Sequence, residues 1–99
     1  MNEGKLKELR QLVDEVMYAA TKKEARSSVR RLEFVASDMK SAIDSYLSGK
    51  LSEIVSFAKE ASGNVKGKGH WISCVERSWY VFEGGVKWNQ SQRNTEHYE

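Results

Sequence analysis

Residues 63–88 read GNVKGKGHWISCVERSWYVFEGGVKW, and how this stretch folds decides the architecture of the chain. It holds all three tryptophans and five of the seven glycines, whereas everything before it carries helical spacing. The runs HWISCV and WYVF are rich in β-branched and aromatic residues, which suit a pleated, half-buried surface. In EGGVKW, Gly84 and Gly85 stand where a two-residue hairpin turn needs positive φ. The stretch therefore predicts a small antiparallel sheet over about 70–76, 79–83 and 86–89, with Val81 opposite Trp88 and Phe82 opposite Lys87. Between 71 and 82 both faces hold apolar groups, so one bent strand competes with two strands joined at Glu76–Ser78. The turn is the preferred reading.

Upstream, Leu6, Leu9, Leu12, Val13, Val16, Met17 and Ala20 recur at steps of three and four, one apolar stripe on a helix over about 3–20. Thr21 followed three residues later by Glu24 is a capping-box pattern, in which hydroxyl and carboxylate each satisfy an orphan amide. It predicts a new helix over about 22–47, with Val29, Leu32, Val35, Ala36, Met39 and Leu47 among its inward residues and Ser48–Gly49 as its stop. The competing reading is an unbroken rod from 3 to 47, about 65 Å long, which would need a coiled-coil partner. A third helix over about 51–61 carries Leu51, Ile54, Val55, Phe57, Ala58 and Ala61. The expected fold class is α+β: three N-terminal helices followed by the sheet, in one compact domain over 1–88. The polar residues 89–99 lack apolar periodicity and read as a flexible tail.

Composition narrows the function. A 99-residue chain is one domain by length. No run approaches the ~18 apolar residues of a membrane span, and the N-terminus lacks the apolar segment of a secretory leader, so the expectation is a cytoplasmic protein that does not enter membranes. Cys74 is the single cysteine and His70 and His97 are the two histidines, which leaves no disulfide framework, no metal set and no implied cofactor. If 70–76 is a strand, Cys74 and His70 lie about 13 Å apart, too far to form a nucleophile–base pair. The expectation is accordingly a non-catalytic protein.

Two surfaces remain. The aromatic cluster Trp71, Trp79, Tyr80, Phe82 and Trp88 is larger than a thin core requires, and one face of a sheet covered by helices on one side alone stays open to a partner. The leading expectation is therefore a protein-binding module, an inhibitor, adaptor or assembly subunit, that uses this face. The alternative is a nucleic-acid-binding protein. Lys22, Lys23, Arg26, Arg30 and Arg31 stand against Glu24 alone and form a cationic strip about 12 Å long on a helix, with Lys66 and Lys68 assisting. The bland counterpart is a solvated helix face. A phosphate loop in GNVKGKG fails on the spacing of its glycines and lysines, so a connector is the better reading. A homodimer through the helical stripe is compatible with either partner.

The order helix, helix, HWISCV resembles the start of the small dynein light chains, in which a strand with Trp, His and Cys follows two helices. After Trp88 there is no room for the two further strands that build that family's peptide groove, and no function is carried across.

Overall fold

The computed structural model describes residues 3–63 and 66–97, with side chains described through Asn89. It contains four helices, α1 (Glu3–Met17), α2 (Lys22–Lys40), α3 (Ser45–Gly63) and α4 (Lys68–His97), and among the described residues no strand. The expected α+β class is thus corrected to all-α. All three segments read as strands, 70–76, 79–83 and 86–89, lie inside α4. With 70–74 helical, the likeness to the dynein light chains ends as well.

The reason lies in the period of the buried residues. Val75, Trp79, Phe82 and Val86 are buried at steps of four, three and four, which is the helical repeat, while Tyr80 and Val81 between them face solvent. Individual β-propensities of Trp, Tyr, Val and Phe amount to little against burial of that stripe. No glycine among the described residues has positive φ, so Gly84 and Gly85 form no hairpin turn. Gly85 instead allows close approach of α3: a methyl group at its Cα would lie 2.6 Å from Leu47 Cδ2.

The break between α1 and α2 falls at Thr21, as the capping pattern predicts. Thr21 has extended backbone, φ −131° and ψ 159°, and its hydroxyl accepts the Glu24 amide at 3.1 Å. The Glu24 carboxylate reaches back to the Ala20 amide at 3.2 Å. The next boundary differs from expectation. α2 stops at Lys40, and Asp44 opens α3 by accepting the Leu47 amide on Oδ1 at 2.8 Å. Gly49 therefore lies within α3 rather than ending α2.

Helices α1, α2 and α3 pack on one another, and α4 lies along α3. The direction is antiparallel: Trp71 meets Phe57 with ring centroids 5.9 Å apart, Ser78 reaches Glu53 at 3.4 Å, and Asn89 reaches Asp44 at 3.5 Å. One apolar cluster joins all four helices, with Leu9, Val13, Leu32, Leu51, Ile54 and Phe82 fully enclosed. The α1 stripe from Leu6 to Met17 is buried within the chain itself. Thirty residues make α4 about 45 Å long, against about 28 Å for the nineteen of α3, and the molecule extends 52 Å along its major axis. The backbone beyond Asn89 stays helical through His97, past the start of α3. Asn64 and Val65 of the connector, and Tyr98 and Glu99 of the expected tail, lie outside the described residues.

Candidate nucleic-acid interface

The outer face of α2 is built by its own amphipathicity. Leu32, Ala36 and Met39 turn inward, which sends Lys23, Arg26, Arg30 and Phe34 outward at steps of three, four and four. All four are exposed, and Lys22 flanks them. Among the described residues Lys22, Lys23, Arg26 and Arg30 carry no ion pair, whereas Arg31 is 3.7 Å from Glu15 across the α1–α2 boundary. Arg31 is thus partly neutralised within the fold, and the other four are not.

The topology then adds charge to the same end of the molecule. A cleft of about 490 Å³ separates the start of α2 from the end of α3, lined by Lys22, Arg26 and Arg30 on one side and Lys59, Ser62 and Gly63 on the other. Because α4 runs antiparallel to α3, its N-terminus also lies at this end, bringing Lys66 and Lys68 near the end of α3. Lys68 sits over the Tyr18 ring, its Nζ 6.0 Å from the centroid. Two helix N-termini, those of α2 and α4, point their partial positive charge the same way. Lys59 is the partial exception in this group, since it contacts Glu33 at 3.1 Å. The structure brings together the basic residues singled out in the sequence, apart from Arg31, which leans toward α1.

A second cleft of about 460 Å³, between α1 and α2, is bordered by Arg30, Arg31 and Phe34 on the α2 side and by the carboxylates Glu8 and Glu15 together with Gln11 and Leu12 on the α1 side. Arg30 borders both clefts, so α2 forms a ridge with a depression on either flank. Phe34 is the residue that the sequence reading missed. Its signal was present, since a phenylalanine four residues after Arg30 falls on the polar side of α2.

The aromatic site expected from the sequence is not one surface. Trp79 and Phe82 are core residues, their rings 5.6 Å apart, and Trp71 is half-buried against Phe57. Tyr80 and Trp88 alone of the five face solvent, 79% and 63% exposed. On a helix these five positions spread around the axis, and the single face assumed for a sheet does not form.

Trp79 owes part of its burial to Arg10 of α1, whose guanidinium lies 5.4 Å from the ring centroid. Arg10 also donates to Asp14 Oδ1 at 3.1 Å and to Glu76 Oε1. Burial disfavours its charge, but the hydrogen bonds to Glu76 and Asp14 outweigh that and raise its pKa above the ordinary guanidinium value.

Cys74 and His70 are not about 13 Å apart as a strand would set them, because residues 70–74 are helical. On α4 they are one turn apart, with Sγ 3.8 Å from Nε2. No third side chain orients the imidazole among the described residues; its ring meets only Trp71, edge-on at 5.1 Å. A nucleophile–base pair needs such an orienting group. Among the described residues no group of three His, Cys, Asp or Glu could hold a metal ion, and no helix is long and apolar enough to cross a membrane. Comparison of the chain with family models, with curated proteins and with solved structures finds no match.

Proposed function

We propose that this is a non-catalytic binding protein whose ligand is a nucleic acid, held through its phosphates by Lys22, Lys23, Arg26 and Arg30, with Lys66 and Lys68 assisting. The observation that carries the reading is that these four of the cations of α2 carry no ion pair among the described residues. Like charges one helical turn apart destabilise a helix by about 0.2–0.5 kcal/mol per pair. A polyanion removes that repulsion and gains the release of its own counterions. Ion pairs border this face, Arg31 with Glu15 and Lys59 with Glu33, but among the described residues none engages Lys22, Lys23, Arg26 or Arg30.

The test is fluorescence anisotropy with short single- and double-stranded DNA and RNA, from about 50 to 300 mM salt. Four neutralised phosphates give a slope of log affinity against log salt of about −3 for single strands. Arg26→Glu with Arg30→Glu is expected to abolish binding at physiological salt. Absence of binding at the lowest salt removes the reading.

A protein partner remains the second reading, now on the outer side of α4. What favours it is that Tyr80, Val81 and Trp88 are apolar and exposed opposite the buried stripe. A partner captured by the wild type and retained in full by Tyr80→Ala and Trp88→Ala proteins would sink it.

A further inference from the structure

We infer that the nucleic acid bound at the basic ridge is single-stranded, and that Phe34 is the platform on which an unpaired base stacks; this rests on the nucleic-acid reading above. Phe34 is 76% exposed although it sits in the middle of an ordered helix. It lies one turn beyond Arg30, so the cations of the ridge lead directly to the ring. From Lys23 to Phe34 the stripe is about 16 Å long, enough to track a few nucleotides of backbone and end on a base.

The other exposed rings do not offer the same combination; Tyr80, 79% exposed, lies on α4 with Glu76 and Glu83 one turn to either side. Tyr18 carries the Lys68 ammonium over one face, at 6.0 Å from its centroid, and Tyr46 that of Lys50, at 5.8 Å. Trp88 is one residue from Asn89, which reaches Asp44 at the start of α3, so it lies at the end of the molecule remote from the cations. Phe34 makes no ring contact and has no cation over its face among the described residues.

Strand choice follows from what a protruding phenyl ring can contact. In a duplex each base face is taken by its neighbour, and a ridge on the backbone meets sugar and phosphate only. A single strand presents free π-faces beside its phosphates, and any base satisfies the ring, so recognition is tolerant of sequence. Aromatic stacking and a basic track together are the elements of a general single-strand surface.

The experiment compares wild type with Phe34→Ala, Phe34→Trp and the control Trp88→Ala on labelled oligothymidylate, oligouridylate and a DNA duplex of equal length. The expected result is that Phe34→Ala weakens both single strands by roughly 5- to 100-fold, the range for loss of one stacked base. Its salt slope and its duplex affinity stay as in wild type, Phe34→Trp restores binding, and Trp88→Ala changes nothing. Thermal unfolding of Phe34→Ala should match wild type, because the ring is outside the core. If Phe34→Ala binds single strands as wild type does, or loses single strand and duplex equally, stacking is overturned while the phosphate contacts stand. If no nucleic acid binds at any salt concentration, the nucleic-acid reading fails and this inference with it.

Discussion

Leu47 of α3 lies against Gly85 of α4 so closely that a methyl group at Gly85 would be 2.6 Å from its Cδ2. Leu47 is buried, so its side chain has little freedom to retreat. The neighbouring Gly84 has nothing within 4 Å of the same position. Adjacent glycines in one helix thus have opposite roles: the first weakens α4 through its backbone freedom, and the second sets the α3–α4 distance.

Gly85→Ala should therefore destabilise the protein, because overpacking costs about 1–3 kcal/mol and exceeds the about 0.5–1 kcal/mol that alanine gains over glycine in a helix. Gly84→Ala should stabilise it by about 0.5–1 kcal/mol, the gain from replacing glycine in an exposed helix interior. Urea unfolding followed by circular dichroism measures both. A hairpin turn would require positive φ at these residues and would make both substitutions unfavourable, so stabilisation by Gly84→Ala also tests α4 itself.

The aromatic residues of α4 should divide just as sharply. Phe82 is fully buried and Trp88 is largely exposed. Phe82→Ala should cost about 3–5 kcal/mol, a large share of the about 5–15 kcal/mol available to a domain of this kind. Trp88→Ala should stay within about 0.5 kcal/mol of wild type. Acrylamide quenching of single-tryptophan variants gives an independent check, with Trp88 most accessible and Trp79 least.

How much of this was legible beforehand depends on which residues carried the signal. The α1 stripe was readable because Leu6, Leu9, Leu12, Val13, Val16 and Met17 have no competing period. The Thr21–Glu24 cap was readable because both partners are local. α4 was not, because β-branched and aromatic residues sit on both its faces, and the helical repeat of Val75, Trp79, Phe82 and Val86 is visible only once Tyr80 and Val81 are known to face out. Two adjacent glycines imitated a turn, whereas Gly85 answers a contact with Leu47, 38 positions earlier, that no local pattern contains. The basic residues of the site were legible one by one. Their convergence with Lys59 depended on the antiparallel order of the helices, whereas the place of Phe34 one turn beyond Arg30 follows from the spacing of α2 alone.

The α2–α3 boundary rests on Asp44, which Ser48–Gly49 obscured in the sequence. Asp44→Ala should cost about 1 kcal/mol through loss of the bond to the Leu47 amide. Asp44→Asn and Asp44→Ser should recover most of it, since both residues cap well. Equal stability for all three variants in thermal unfolding would remove Asp44 as the start of α3.

The cationic end connects stability to ligand. Anything that binds the folded state and not the unfolded one stabilises it, and free single strands at 100 times their dissociation constant contribute about 2.7 kcal/mol. For a domain of up to about 100 residues each kcal/mol raises Tm by about 4–8 °C, so saturating oligothymidylate should raise Tm by about 10 °C or more. The same oligonucleotide should leave Tm unchanged in the Arg26→Glu, Arg30→Glu protein, whose own Tm should not fall, because neither arginine has an ion pair among the described residues to lose. Sulfate at matched ionic strength separates general anion screening from binding. A rise in Tm as large with sulfate as with the oligonucleotide, or one that survives the charge reversal, would contradict binding at the α2 ridge.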